Sequence, residues 1–386
     1  SQNKATTAFE ANNCFNGTTN GRKSYFQVFT SAAYLRSIKL TDCFKANALE
    51  LATTIKDCPR LQNVELTRVA TGKGTSLFRF FNNVGNSIAA NTTCTWKFTD
   101  VGNNYANLRS MFYNSLGSTG IASNSSLTWT NSGNRGSAVS MGRMFGPGTF
   151  SAESTRTQID NYTPVYEYDY TQGEYGGDTV TNEQFDVTYS ANKMMMPKLD
   201  LRGMPVIGTS TGGVTGTQGA DGSMFAMFED LDAITSVGVA SGAAGSATSF
   251  ALTLPPELFG SLTTDMRNMF RGCDRLQTAS FNDMVKAANA DFTEGFRACP
   301  ALTTVTFSNS AAPASTPIFD RMFQECGNLT TVNGSGSNPY APKSMKRMLY
   351  GCAKLNSLDT TGLSTASLPN NFVEVAANGN GGTGDC

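Results

Sequence analysis

One pattern of apolar positions recurs four times towards the end of the chain. Residues 269–281 read MFRGCDRLQTASF, and every copy has an apolar residue three positions before a cysteine and a leucine three positions after it. The four cysteines, Cys273, Cys299, Cys326 and Cys352, are 26, 27 and 26 residues apart. A period of about 20–29 residues is typical of leucine-rich repeats, in which each unit supplies a strand and a helical piece.

Each copy predicts a helical piece that is followed by a turn and a short strand. Upstream of the cysteine, Phe292, Phe296 and Cys299 have the spacing of one face of a helix. Downstream, Val305 and Phe307 alternate with polar residues, as in a strand. No unit can bury its apolar face alone, so successive units must stack. The predicted fold class is therefore α/β, a leucine-rich-repeat solenoid.

Weaker copies of the pattern extend towards the start of the chain. Ala32, Cys58 and Val84 occupy the cysteine position at the same 26-residue period. The spacing then widens to 31 and 33 residues, with Ser115 and Gly148 in that position. The additional residues are rich in Gly, Asn and Ser and are predicted to lie in loops on one face. In total we expect about ten degenerate repeats of the 26-residue type.

The repeats are interrupted once by a long segment that is predicted to be an inserted β-rich piece. The pattern resumes with Leu231 at the cysteine position, after residues 193–208, which are suited to return the chain to the solenoid. A second, Gly/Ala/Ser-rich insertion follows at 240–254. The predicted organisation is an N-terminal cap (1–20), a first repeat block (21–149), an acidic Tyr-rich β insertion (150–222), a second repeat block (223–360) and a polar C-terminal tail (361–386).

The composition of the chain excludes several classes of function. The 386 residues include no histidine, which excludes His general bases, Ser-His-Asp systems and His metal sites. A net charge of −1 provides no basic field for nucleic acid. No apolar run reaches the roughly 18 residues of a membrane span. We expect a protein that is not an enzyme and has no cofactor, no bound metal, no nucleic-acid partner and no membrane insertion.

Five of the nine cysteines share one repeat position and are predicted to be structural. They would form a column in the core, as small apolar side chains with weak donors. Disulfide geometry is strict and no Cys-x-x-Cys metal motif occurs, so buried free thiols are favoured over disulfides or a metal site. The predicted column consists of Cys58, Cys273, Cys299, Cys326 and Cys352. Pairing is left open for Cys14, Cys43, Cys94 and Cys386.

Small polar side chains mark the outer face of the predicted strands in the second block. Aligned repeats would place them in ladders of hydroxyl and amide groups, which suit hydrogen bonding to glycans or other neutral polar ligands. A merely solvated face with good β-propensity is the alternative, and ice binding is a further one. The candidate binding residues are Thr278, Ser280, Thr304, Thr306, Thr331 and Asn333.

The inserted segment is acidic and rich in tyrosine. Residues 151–190 contain eight acidic residues against one basic residue. Tyrosine is favoured in interface cores, so we predict a contact with another subunit or a receptor through Tyr166, Tyr168 and Tyr170, on one face of a predicted strand. Calcium binding by the carboxylates and a solvated loop are the alternatives.

The repeated phrase resembles a known family. Met-Phe-x-x-Cys-x-x-Leu-x-x-Φ-x-Φ, where Φ is apolar, is similar to the BspA-like leucine-rich repeats of bacterial, protist and viral surface proteins, most closely over 265–360. Such proteins on cells commonly carry a lipidated N-terminal cysteine or a wall-sorting tail. The chain opens Ser-Gln-Asn-Lys and closes Gly-Asp-Cys, so we expect a protein that is not anchored to a cell in this way.

These observations predict a non-enzymatic repeat protein that acts as a structural or recognition subunit of a surface-exposed assembly. The assembly we expect is a virion, with the chain as a tail, fibre or capsid-decoration protein. The alternative is a secreted BspA-like bacterial adhesin that binds host protein or glycan. The expected partners are further copies of the chain, other structural proteins of the assembly, and a host receptor or glycan. The expected location is the extracellular surface or the virion.

Overall fold

The computed structural model of the chain is a parallel β-solenoid of about nine turns with almost no helix. The predicted stacking of repeats into a solenoid is therefore confirmed. The structure describes residues 6–17, 25–47, 49–133, 135–146, 148–150, 187–189, 193–208, 224–259, 265–282, 290–309, 317–336, 342–358, 375–377 and 382–384.

Short strands alternate with turns along the whole described chain. They are β1 Ala8–Asn12, β2 Phe29–Thr30, β3 Ser37–Thr41, β4 Ile55–Lys56, β5 Asn63–Thr67, β6 Phe81–Asn82, β7 Thr95–Thr99, β8 Asn104–Asn107, β9 Ser126–Thr130, β10 Ser137–Ser140, β11 Gly148–Phe150, β12 Val187–Tyr189, β13 Leu199–Asp200, β14 Val206–Ile207, β15 Ser236–Val239, β16 Leu252–Leu254, β17 Thr278–Asn282, β18 Thr304–Asn309, β19 Thr331–Gly336, β20 Ser357–Leu358, β21 Val375–Ala377 and β22 Gly382–Gly384.

Twelve of these strands form one large sheet along the solenoid. Its order is β1-β3-β5-β7-β9-β13-β16-β15-β17-β18-β19-β20, and neighbouring strands are parallel throughout. Parallel neighbours require the chain to return to the same end after each strand, and each coil of the solenoid does so. Two further parallel sheets have three strands each, in the orders β2-β4-β6 and β8-β10-β14.

The predicted helical pieces are absent, so the α/β class and the strand-plus-helix unit of a leucine-rich repeat are wrong for the described residues. Phe292, Phe296 and Cys299 lie in a run of turns, although all three side chains are buried, with no more than 2% exposed. Within the described part, the one helix is a single 3₁₀ turn, Pro256–Phe259.

Two kinds of backbone hydrogen bond alternate along these turn segments. Phe270 N–H donates to the carbonyl of Gly295 in the next coil at 2.8 Å, whereas Arg271 N–H donates to Asn268 within its own coil at 3.1 Å. Asn268 and Gly272 have positive φ angles of 56° and 69°, which break any right-handed helical path. A side chain therefore returns to the core every four residues, and this spacing imitates one face of a helix.

The same left-handed backbone recurs at one position of the described turn segments, two residues before a large apolar side chain that is aromatic in eight of the ten cases. The φ angles there lie between 49° and 58°. Each costs a non-glycine residue roughly 1–2 kcal/mol, which the hydrogen bonds between coils offset. The column consists of Gln27, Thr53, Arg79, Ser110, Arg143, Ala226, Asn268, Glu294, Arg321 and Arg347.

A column of stacked phenylalanine rings runs through the core. Successive ring centroids are 4.8–5.6 Å apart. The stack joins Phe145 to Phe228 at 5.5 Å, across the interruption in the repeat pattern. One solenoid therefore passes through both predicted repeat blocks. The stacked rings are Phe81, Phe112, Phe145, Phe228, Phe270, Phe296 and Phe323.

Part of the predicted insertion belongs to the solenoid. β13 pairs with β9 and β16 in the large sheet, and β14 pairs with β10. At the base of the insertion, β11 and β12 pair with each other in antiparallel orientation. Residues 151–186 and 209–223 lie outside the described residues.

The second insertion places one strand out of chain order. β16, at its end, lies between β13 and β15 in the large sheet. Phe250, which precedes β16, covers Gly238 of β15 so closely that a Cβ on Gly238 would lie 2.3 Å from the ring. Gly238 alternates with the buried Val237, so this contact is on the outer face of the sheet. Residues 240–250 are thereby held at that face.

Candidate recognition face

The candidate binding residues of the second block form two straight ladders. Thr278 pairs with Thr304, and Thr304 with Thr331. In the second ladder, Ser280 pairs with Thr306, which in turn pairs with Asn333. Neighbouring members of each ladder are about 4.8 Å apart because they lie on adjacent strands. None of the six is buried.

The ladders face outwards because successive side chains of a strand point to opposite faces of the sheet. Between the two ladders, Ala279, Val305 and Val332 point into the core and are no more than 3% exposed. The side-chain period of a strand is two residues, so the flanking hydroxyl and amide groups must lie on the opposite face. The result is a neutral surface of small polar groups on β17, β18 and β19.

The sequence analysis missed the continuation of the first ladder into the first block. Its equivalent positions there are Ser37, Asn63, Thr95 and Ser126, which pair in register. The sequence does contain the signal for these positions, because apolar and polar residues alternate in segments such as SIKLT and NVELT. A third ladder, at the ends of the same strands, consists of Thr41, Thr67, Thr99 and Thr130.

The centre of the face in the first block is charged. Lys39 Nζ lies 3.7 Å from a carboxylate oxygen of Glu10 and 3.7 Å from one of Glu65, which sit on the neighbouring strands. Lys97 continues the row. Exposed ion pairs of this kind contribute about 0–1 kcal/mol each. Their main effect is to make the face of the first block zwitterionic, whereas that of the second block is neutral.

A fixed loop borders the neutral half of the face. Asp200 forms an ion pair with Arg202 at 2.8 Å and accepts a hydrogen bond from Gly245 N–H at 2.6 Å, and Arg202 also donates to Ser246. Burial opposes the negative charge of Asp200, but the hydrogen bonds from Arg202 and Gly245 outweigh it and lower its pKa. These contacts hold residues 240–250 in place beside the ladders.

The predicted cysteine column lies inside the core. Each Sγ donates to the carbonyl of a core phenylalanine in the preceding coil, as from Cys299 to Phe270 at 3.1 Å and from Cys326 to Phe296 at 3.0 Å. Cys58, Cys273, Cys299 and Cys326 are fully buried, and Cys352 is half-buried. Burial raises the pKa of the Cys299 thiol well above its ordinary value.

All eight cysteines in the described part of the chain are free thiols, which includes Cys14, Cys43 and Cys94 but not Cys386. In that part, no group of three or more Cys, Asp or Glu side chains is arranged to hold a metal ion.

Three acidic side chains surround one lysine where the chain re-enters the solenoid after the insertion. Lys193 Nζ lies 3.4, 3.2 and 3.6 Å from Asp230, Asp232 and Asp274. Burial and the neighbouring Glu229 raise the pKa of Asp230 to about 6, against the attraction of Lys193. Burial opposes the charge of Lys193, but the three carboxylates outweigh it and raise its pKa. The cluster fastens the returning chain to two coils.

Buried ion pairs join the turn segments of successive coils, which we call the turn side of the solenoid. The sequence analysis did not predict these ion pairs. Arg143 Nη1 lies 2.7 Å from Glu229 Oε2, with both side chains no more than 2% exposed. Glu294 is wholly buried and lies within 3.5 Å of Arg271, Arg297 and Arg321. These charges link three successive coils, so the turn side is ionic where the ladder face of the second block is neutral.

Tyr166, Tyr168 and Tyr170 lie outside the described residues, as do the acidic residues of 151–186. Their predicted roles in subunit contact or calcium binding stay predictions.

No family model, no curated protein and no solved structure matches the chain. The resemblance to BspA-like repeats therefore stays a prediction. Within the described ranges, no helix has the length and apolar character needed to cross a bilayer.

Proposed function

We propose that this protein is a non-enzymatic structural or recognition subunit of a surface-exposed assembly, and that the ladder face is its contact surface. The main support for this proposal is the in-register arrangement of small polar side chains on β17, β18 and β19. Thr278, Thr304 and Thr331 form one row of it. A row of small hydroxyl groups at a regular spacing favours an extended polar partner over a compact substrate. The whole chain also contains no histidine to act as a general base.

The assembly that fits best is a virion, in which the chain would be a tail, fibre or capsid-decoration protein. Support comes from the resemblance of the repeats to those of surface proteins, including viral ones, and from the solenoid itself. A solenoid offers long surfaces on which identical or related subunits can align. The partners would be further copies of the chain, other structural proteins of the assembly, and a host receptor or glycan.

The second candidate is a secreted BspA-like adhesin, and the neutrality of the ladders favours it. Hydroxyl and amide groups on β17, β18 and β19 match the hydrogen-bonding groups of a neutral glycan. An adhesin of this kind would bind its ligand as a monomer. Both candidates use the same face, so the face is the first thing to test.

The test replaces two ladder threonines with a large charged residue. Thr304→Arg with Thr306→Arg places two long cations on the neutral face without changing the buried Val305 between them. The matched control is Gln324→Arg, on the turn side of the neighbouring coil. Circular dichroism and the thermal midpoint establish that each variant is folded.

The readouts are the absolute mass in solution by light scattering and binding to an array of neutral glycans. We expect the ladder variant to lose assembly, glycan binding or both, and the Gln324→Arg variant to behave as the parent. A folded ladder variant with unchanged mass and unchanged binding would contradict the proposal.

A further inference from the structure

A row of four charges that alternate in sign crosses the outer face of the first block. Its members occupy the central positions of β1, β3, β5 and β7, which pair in register. The row consists of Glu10, Lys39, Glu65 and Lys97, and none of these side chains is buried. The next strand, β9, has Thr128 at this position, so the row ends there with equal numbers of acidic and basic residues.

An alternating row with an even number of charges is complementary to itself when its direction is reversed. If a second copy faces the first with its solenoid axis antiparallel, Glu10 lies opposite Lys97 of the second copy, and Lys39 lies opposite its Glu65. All four charges then meet an opposite charge, about a two-fold axis that passes between β3 and β5. A parallel copy meets like charges in register and forms at most three opposite pairs after a shift of one coil. The order of the charges therefore favours the antiparallel arrangement.

Two pairs of residues at the borders of this face have the same symmetry. Tyr34 and Arg60 lie three residues before β3 and β5, and within one chain the Arg60 guanidinium is 5.6 Å from the centre of the Tyr34 ring. Asp42 and Arg68 directly follow the same two strands and form an ion pair. The antiparallel copy would place its Arg60 opposite Tyr34 and its Arg68 opposite Asp42. Three separate rows are thus complementary about one axis.

The charged row is bordered by small side chains, but the area of this face is limited. Asn63 and Thr67, beside Glu65 on β5, are typical of these neighbours, and they leave room for the charges of two copies to meet. Four strands of five residues cover about 300 Å² per chain, from a strand spacing of about 4.8 Å and a rise of about 3.3 Å per residue. A stable dimer buries about 800 Å² on each partner. This contact therefore suits the orientation of neighbours in an assembly that other surfaces also hold together.

We propose that this charged row is a self-recognition surface, through which two copies of the chain pair face to face with antiparallel solenoid axes. The inference rests on the assembly role proposed above, and it adds which face joins two copies and in which orientation. The contact is isologous, since each copy uses the same patch. Complementary charges of this kind fix orientation and suppress wrong partners more than they add affinity. The ladders of the second block remain available to other subunits or ligands.

Zero-length carbodiimide cross-linking of the assembled full chain tests the orientation. Within one chain, Lys97 and Glu10 are three strand spacings apart, about 14 Å, whereas the antiparallel copy brings them together. When isotopically labelled and unlabelled protein are mixed before assembly, we expect a Lys97–Glu10 cross-link that joins labelled to unlabelled chains. A parent that assembles without this cross-link would overturn the proposal and assign the row to another partner or to solvent. A parent that never assembles would contradict the assembly role together with this contact.

Changing the order of the charges tests their complementarity at constant net charge. Glu10→Lys with Lys39→Glu makes the row palindromic, so like charges meet in the antiparallel pair. Adding Glu65→Lys and Lys97→Glu reverses all four charges and restores complementarity between identical copies, but not with the parent. We expect the first variant to raise the protein concentration needed for assembly severalfold, by light scattering, and the second to assemble as the parent does without mixing with it. Equal assembly thresholds in all three proteins, each folded by circular dichroism, would refute the pairing, as would a second variant that does not recover.

Discussion

At the residue scale, cysteine suits its repeat position because it is small, apolar and a weak donor. In successive coils the thiol reaches the carbonyl of the preceding phenylalanine, at 3.1 Å for both Cys299 and Cys352. The position accepts other side chains elsewhere, such as Val84 and Leu231, which are also buried. A buried apolar side chain is therefore the requirement, and the thiol chemistry is incidental.

Burial of the thiols predicts a loss of stability at alkaline pH. Burial raises the pKa of Cys94 to about 11 and that of Cys352 to about 12, from an ordinary value of 9.0. Above pH 9 the unfolded chain releases these protons while the folded chain retains them. The free energy of unfolding should therefore fall as the pH rises from 9 to 11, by up to about 1.4 kcal/mol per pH unit for each thiol.

The measurement is urea unfolding at several pH values for the parent and for Cys94→Ala. Other groups titrate in the same range, so the informative quantity is the difference between the two proteins. We expect the parent to lose more stability than Cys94→Ala between pH 9 and 11. Parallel curves would show that the Cys94 thiol is not held protonated by the fold.

At the element scale, the turn segments depend on left-handed residues, and not all of them are glycine. Gly272 has φ of 69°, and a Cβ there would lie 2.2 Å from Asp230 Oδ1. The equivalent residue of the next coil is Ala298, with φ of 55°. The same backbone is thus relaxed in one coil and strained in the next.

This contrast predicts that two substitutions change the free energy of unfolding in opposite directions. Ala298→Gly should raise the free energy of unfolding by up to about 1 kcal/mol, because it removes left-handed strain from a half-buried residue, offset in part by the added flexibility of the unfolded chain. Gly272→Ala should lower it by more than about 1 kcal/mol, because strain and the contact with Asp230 add. Equilibrium denaturation measures both, and a destabilising Ala298→Gly would refute this account of the turns.

The turn segments also show why the sequence predicts the strands better than the connections. The alternation of Val305 and Phe307 with polar residues specifies a strand, and β18 contains both. The spacing of Phe292 and Phe296 is ambiguous, since a helix and a series of turns with left-handed residues both return a side chain to the core after four positions. Positive φ at Glu294 is invisible in the sequence because the residue is not glycine.

At the scale of the whole molecule, the phenylalanine column makes the two blocks one solenoid. Phe145 and Phe228 stack at 5.5 Å although the sequence between them is the longest interruption in the pattern. The nearby ion pair between Arg143 and Glu229 is buried on the same two coils. In a solenoid, neighbouring coils supply most of the coupling that makes unfolding cooperative.

Phe145→Ala should therefore weaken the junction between the blocks. We expect it to cost about 3–5 kcal/mol and to divide one unfolding transition into two, with the blocks losing amide-exchange protection at different urea concentrations. Phe323→Ala, near the end of the same column, is the control and should release only the last coils. A single transition in Phe145→Ala, as cooperative as that of the parent, would contradict coupling through this stack.

The ladder face was predictable in part. Repeat alignment alone placed Thr278, Thr304 and Thr331 in one row, because a period of 26 or 27 residues returns each strand to the same register. The loop beside it was not predictable. Strand β16 enters the sheet out of chain order, and the contact of Phe250 with Gly238 joins two residues that no repeat relates.

The absolute mass of the full chain in solution, by light scattering after size exclusion, tests the proposed role most directly. A subunit of a surface assembly should form a defined oligomer or filament, and Thr304→Arg with Thr306→Arg should reduce it to the 41.1 kDa chain. A parent protein that remains a single 41.1 kDa species at every concentration would contradict the assembly role and leave the adhesin as the better account.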